Sequence, residues 1–209
     1  MFTSFRAKLS NRPYSSSESD IPGIIARVRA VEVVLGVGWA LFWLYWLVAA
    51  FSTKRGRIAW SREVRVRVII AAVALVAARL GAFHGHLSDT GTLRGTVGLT
   101  LFGAGLAFAV WARIHIGRNW GTPMTQRTEP ELVTTGPYRL VRHPIYSGIL
   151  VAGVGTAVAI GWPVLVFFGL AAIYFVYAAR VEETYLTEQF PEAYPAYRRR
   201  SKMLVPFVL

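Results

Sequence analysis

Residues 144–179 read PIYSGILVAGVGTAVAI, then GW, then PVLVFFGLAAIYFVYAA, two apolar arms parted at Gly161, Trp162 and Pro163. Neither arm carries a charge. Glycine ends a helix well because it tolerates left-handed backbone, and proline opens one because the first turn has no intrahelical acceptor for its N–H. The stretch therefore predicts a tight helical hairpin, with arms at 144–160 and 162–179. Being apolar on every face, it suits a bilayer better than a protein surface. A helix crossing a hydrocarbon core ~30 Å thick needs ~20 mostly apolar residues. Each arm is short for that, so the polar ends should project beyond the core. The second arm should continue through Arg180, Glu182 and Glu183 toward Phe190.

Outward from the hairpin, three more apolar runs precede it. Residues 31–51 include Trp39, Trp43, Tyr45 and Trp46, residues 64–83 carry Arg79 near their far end, and residues 96–116 lead into a polar stretch at 117–143. An arginine so placed snorkels to the interface or pairs within the bundle. The reading is an all-α integral membrane protein with about five transmembrane helices. Residues 1–30 form a flexible tail and 31–116 three of the helices, while 117–209 hold the long loop, the hairpin and a C-terminal segment. Composition agrees, since 54% of residues are hydrophobic and 16% charged, against about a quarter charged in soluble domains.

The formal charge is +12, but the basic residues flank the apolar runs. Anionic lipid head groups meet them there, which favours membrane lipids over nucleic acid as partner. Lys54 to Arg67 follow the first run, Arg118, Arg127, Arg139 and Arg142 follow the third, and Arg198, Arg199, Arg200 and Lys202 end the chain. With five spans these segments share one side, so the C-terminus is expected in the cytoplasm; only the basic N-terminal tail dissents. Cysteine is absent, which excludes disulfides, thiolate metal sites and cysteine nucleophiles. His84 and His86 lack a third ligand and read as solvated, so no metal is expected. Gly36-Val37-Gly38, Gly103-Ala104-Gly105 and Gly153-Val154-Gly155 sit inside apolar helices and follow no strand. They read as helix-packing sites, not as a dinucleotide loop.

Two polar segments flank the hairpin. Before it, residues 132–146 run LVTTGPYRLVRHPIY, with a turn at Gly136-Pro137 and Pro144 at a helix start. His143, Tyr138 and Tyr146 gather near that start, whose free N–H groups could hold a carboxylate. After it come Arg180, Glu182 and Glu183, then Phe190, Tyr194 and Tyr197. Neighbours on a helix point about 100° apart, so only one of the two glutamates can readily face a shared pocket. An interfacial aromatic belt, and an i, i+3 pair between Arg180 and Glu183, would account for the same residues without any site.

Taken together, G-x-Y-x-x-x-R-H-P-x-Y, an apolar hairpin, E-E and F-x-x-x-Y-x-x-Y resemble the isoprenylcysteine carboxyl methyltransferase family, and the wider membrane methyltransferases that include phospholipid N-methyltransferases. The match covers residues 119–207. It implies transfer of a methyl group from S-adenosylmethionine to a lipophilic small molecule or lipid-anchored substrate, with cofactor-binding loops on the cytoplasmic side. By the same resemblance, Leu132, Val133, Tyr138, His143, Pro144, Tyr146 and Glu182 hold the cofactor, and Glu182, His143 and Arg180 are the catalytic candidates. Eukaryotic members place an arginine one turn before that glutamate; here Ala178 stands there, and Arg180 is the nearest cation. Sterol reductases are similar over the same region, which leaves an NADPH-dependent membrane reductase as the alternative enzyme. A non-catalytic membrane scaffold is the alternative without chemistry.

Overall fold

The computed structural model describes residues 21–50, 56–57, 92–120, 126–127 and 131–206. Five α-helices lie within them: α1 Ile21–Ala50, α2 Thr92–Ile116, α3 Pro144–Ile160, α4 Pro163–Gln189 and α5 Ala193–Arg200. A two-residue antiparallel ladder joins β1 Gly56–Arg57 to β2 Gln126–Arg127. The expected span at 64–83, with Arg79, His84 and His86, lies outside the described residues.

Three helices are long and apolar enough to cross a membrane, Pro22–Ala49, Thr92–Ile116 and Pro163–Gln189, and α3 is a shorter apolar helix. Their outward faces carry exposed Leu41, Leu44, Leu47, Ile114, Val166 and Ile173, surface that a bilayer would cover and water would not. The chain is an integral membrane protein. The first helix begins at Ile21, ten residues before the apolar run, so Arg27 and Arg29 belong to it and not to a flexible tail. Pro22 sits in its first turn, where a missing N–H costs nothing. The hairpin forms as expected, Gly161 closing α3 at φ 131° with its N–H bonded to Ala157 O (2.8 Å) and Pro163 opening α4. At 27 residues α4 is longer than its apolar arm and carries Glu182 and Glu183 with it.

The short helix α3 is the centre of the molecule, with 12 of its 17 residues buried. It packs antiparallel on α2 at backbone distance. A Cβ on Gly105 would lie 2.4 Å from Ala152 N, and one on Gly155 2.3 Å from Phe102 N. Gly148 and Gly98 complete the contact, each without room for a methyl group. Gly38 and Gly153 face Phe102 and Phe168, whereas Gly36 and Gly103 have nothing within 4 Å. Close packing thus explains four of the six glycines in the G-x-G fragments. Without a hydrophobic force between helices in lipid, such close approach supplies the association through dispersion.

Polar groups fasten the polar end of the bundle. Arg113 is 3% exposed at the end of α2 and donates to Gly117 O (2.8 Å) and Ala49 O (2.7 Å). It thereby satisfies a terminal carbonyl of α1 and the first carbonyl past α2 while lying 4.7 Å over the ring of Trp120. The C-terminal segment returns alongside the approach to α3: Arg142 and His143 donate their N–H groups to Lys202 O (2.8 Å) and Met203 O (3.0 Å).

Candidate active site

The turn predicted at Gly136-Pro137 is a 3-10 turn over Gly136–Arg139. Gly136 is required there twice, by φ 58° and because a Cβ would lie 2.6 Å from the ring of His115. That ring hydrogen-bonds Thr135 Oγ1 at 2.9 Å and stacks near Tyr138, so His115 is a structural post for the turn. Four residues on, His143 occupies the N-cap position of α3 without a side-chain capping bond, and Pro144 sits in its first turn. Tyr138 is pinned from the other side by Tyr197 of α5, whose hydroxyl donates to Tyr138 O at 2.6 Å.

These constraints open a cleft between the turn, the start of α3, the polar end of α4, and α5. Leu132, Val133, Tyr138, His143, Pro144, Tyr146 and Glu182 all line it. At its centre the hydroxyl of Tyr146 donates to Glu182 Oε1 at 2.7 Å, and His143 Nδ1 lies 3.4 Å from Glu182 Oε2. The rings of His143 and Tyr146 stack with centroids 5.5 Å apart, and Phe175 stacks on Tyr146 at 4.6 Å. Glu182 is fixed on two sides and remains partly accessible, its side chain 25% exposed.

Of the two glutamates, Glu182 faces this cleft. Glu183 points about 100° away around α4 and is 4% exposed. It accepts from Arg142 Nε at 2.7 Å, lies 3.5 Å from Arg198 Nε, and approaches His143 Nε2 at 3.4 Å. One imidazole therefore sits between two carboxylates. Burial of His143 favours its neutral form, but the hydrogen bonds and charges of Glu182 and Glu183 outweigh that and raise its pKa above the ordinary histidine value.

Arg180 does not join the cleft. Two residues before Glu182, it projects about 200° away around the helix, onto an exposed groove shared with Thr184, Thr187 and Glu188. Nor is Arg180 the partner of Glu183, which pairs with Arg142 and Arg198 instead. Ala178 is fully buried in the apolar core. Trp120, Glu131, Arg142, Tyr185, Gln189 and Tyr194 also line the cleft. Periodicity gave no sign of Trp120, Glu131 or Gln189, whereas Tyr194 belongs to the F-x-x-x-Y-x-x-Y pattern. Asn119 Nδ2 donates to Glu131 Oε2 at 2.7 Å and ties the end of α2 to the approach to Leu132.

The phospholipid methyltransferase family model matches residues 93–193, from the start of α2 to the start of α5, and takes in every residue named above as lining the cleft except Tyr194. That region is similar to phospholipid methyltransferases. Among the relatives of the chain, protein-S-isoprenylcysteine O-methyltransferase B of Arabidopsis thaliana is 36% identical over 115 residues, 53% of this chain and 58% of that protein. Methanethiol S-methyltransferase 1 of Bradyrhizobium diazoefficiens is 34% identical over 82 residues, 39% of this chain and 28% of that protein. The chain thus spans little more than half the length of the first relative and less of the second. The solved structure of the eukaryotic intramembrane Ras methyltransferase, isoprenylcysteine carboxyl methyltransferase, superposes with a TM-score of 0.56 at 20% identity. It covers 69% of this chain and 53% of that one, which shows a shared fold. The resemblance to isoprenylcysteine carboxyl methyltransferases, first apparent in the motifs on either side of the hairpin, is borne out.

Proposed function

We propose that the chain is an integral membrane methyltransferase that uses S-adenosylmethionine and methylates a lipophilic acceptor. The observation that carries this reading is the convergence on one cleft of all seven residues that the motifs assign to the cofactor, drawn from two segments on either side of the hairpin. The cleft's chemistry fits such a ligand. Tyr138, Tyr146, Trp120 and Tyr185 offer aromatic surface for a purine, Glu182 a carboxylate for a cation, and Tyr194 a buried hydroxyl with no partner within the described residues.

When bound, S-adenosylmethionine supplies an electrophilic methyl group on a positively charged sulfur. The protein's task is then placement. Tyr146 and His143 hold the Glu182 carboxylate in one orientation, where it complements a cation. The Glu182–His143 pair is also positioned to take a proton from an amine or hydroxyl acceptor, while a carboxylate or thiolate has none to lose. Arg180 has no part in this scheme, because its helix face is turned away.

A lipophilic acceptor is supported by a line of touching aromatic rings that leaves the cleft for the apolar interior. Trp120 meets Trp46 (5.9 Å), Trp46 stacks on Phe42 (4.7 Å), Phe42 meets Trp39 (5.8 Å), and Trp39 stacks on Phe168 (5.6 Å). The basic C-terminal segment and the loop before α3 are assigned to the cytoplasmic side. Methyl transfer from labelled S-adenosylmethionine into a total lipid extract tests the reading, with Glu182→Ala and His143→Ala as controls. Product labelled by the wild type and not by the variants is expected. Saturable binding of NADPH without binding of S-adenosylhomocysteine would replace this reading with a reductase.

A further inference from the structure

Tyr194 and Tyr197 lie one turn apart on α5, and their hydroxyls fare differently. Tyr197 donates to Tyr138 O at 2.6 Å. Tyr194 is 1% exposed, lines the cleft, and has a buried hydroxyl with no hydrogen-bond partner among the described residues. Burying a hydroxyl without a partner is unfavourable, so a folded protein rarely keeps one unless something else completes it.

A second donor lines the same cleft. Arg142 spends Nε on Glu183 (2.7 Å) and Nη1 on the carbonyls of Ser201 and Arg198, which leaves Nη2 without a partner among the described residues. Arg142 Nη1 reaches the carbonyl of Arg198 (3.3 Å), one turn beyond Tyr194 on α5, so the guanidinium lies against the helix that carries Tyr194 and both residues line the cleft. With the Arg142 charge already paired to Glu183, a phenol and a spare guanidinium N–H still present two hydrogen-bond donors, which two oxygens of a carboxylate can accept. Burial, with Glu183 nearby, pushes the Tyr194 pKa far above the ordinary tyrosine value, and the hydroxyl remains a donor at any working pH.

We infer that Tyr194 and Arg142 form a carboxylate-binding subsite of the cleft, Tyr194 giving one hydrogen bond and Arg142 Nη2 a second. The inference rests on the methyltransferase reading and deepens it. Two sources present the same chemistry: the amino-acid end of the cofactor, or the carboxylate of an acceptor.

Full-length protein in detergent separates them. Wild type should bind S-adenosylhomocysteine; failure at this step counts against the methyltransferase reading itself. In the first arm, Tyr194→Phe is compared on S-adenosylhomocysteine and on methylthioadenosine, which lacks the amino-acid portion. About tenfold weaker binding of the former alone assigns the subsite to the cofactor. In the second arm, a rise of about tenfold in KM for N-acetyl-S-farnesylcysteine, with cofactor affinity unchanged, assigns it to the acceptor. Without ligand, Tyr194→Phe should unfold no earlier than wild type, since its hydroxyl has no partner to lose, whereas Tyr197→Phe should unfold earlier. Wild-type S-adenosylhomocysteine affinity in Tyr194→Phe, together with an unchanged KM or no turnover of that acceptor, overturns the inference. Equal weakening of both nucleosides overturns it as well, because the lost contact would not be to a carboxylate.

Discussion

Tyr146 donates its phenolic hydrogen to Glu182 across 2.7 Å, joining the first turn of α3 to the polar end of α4. The bond exists because the turn at Gly161 folds the two helices side by side and brings that end of α4 back to the start of α3. If the carboxylate it holds is a ligand group, Glu182→Gln should weaken S-adenosylhomocysteine binding about tenfold or more, the loss of one charge-assisted contact worth ~1.5–3 kcal/mol. Calorimetry on the detergent-solubilised protein measures it. Wild-type affinity in both Glu182→Ala and His143→Ala would remove the proposed site.

Glu183 should behave differently from its neighbour. Its ion pair with Arg142 is buried, the side chains being 8% and 5% exposed. Removing one member of such a pair leaves the other charge stranded, at a cost of about 3–5 kcal/mol. Glu183→Ala should therefore lower the unfolding temperature markedly, and the double variant Arg142→Met/Glu183→Leu should recover part of the loss. A Glu183→Ala protein as stable as wild type would contradict the geometry.

His143 makes stability depend on pH with a definite sign. Glu182, Glu183 and Arg142 are the charged groups around it, and Tyr146 stacks on its ring. Its pKa in the folded protein lies above the ordinary 6.5. Protonation therefore favours the fold: the contribution is fully present below about 6.5 and is lost as pH rises through the raised value. In thermal unfolding from pH 5.5 to 9, the gap between wild type and His143→Gln should be widest at the acid end and close toward the alkaline end. A gap that grows with pH would reverse the assignment.

The α2–α3 contact predicts a contrast among glycines. Gly105→Ala and Gly155→Ala each drive a methyl group into opposing backbone and should destabilise by about 1–3 kcal/mol. Gly36→Ala and Gly103→Ala meet nothing within 4 Å and should be neutral or slightly stabilising, since alanine is the better helix former. Unfolding temperatures of the four variants in one detergent provide the comparison.

Orientation is open to cysteine labelling, because the chain has no cysteine of its own. Glu192 is exposed just before α5. With the C-terminal segment in the cytoplasm, Glu192→Cys should react with an impermeant reagent only after the membrane is opened. Labelling in intact cells would invert the topology.

Much of this protein is written locally. Apolar arms of fixed length, the Gly161-Trp162-Pro163 break, the Gly136-Pro137 turn and the proline at the start of α3 follow from backbone preferences of single residues, and the structure keeps them all. The arm lengths alone placed Glu182 opposite His143, since a hairpin returns the chain to its starting level. The sequence alone therefore joins the two polar segments into one site.

What the sequence by itself could not decide was rotation. A helical period of about 100° per residue gives the angle between Arg180, Glu182 and Glu183, not which of them faces the cleft. α4 packs Ala178 and Ala179 inward, which turns Glu182 to the cleft, sends Glu183 to Arg142, and leaves Arg180 outside. The same holds for the G-x-G fragments, where identical motifs yield buried and open glycines according to which face meets another helix. The unpartnered hydroxyl of Tyr194 is the extreme case. Satisfaction of a hydrogen bond is a property of everything around a group, so only the tertiary structure distinguishes Tyr194 from Tyr197, three residues along the same helix.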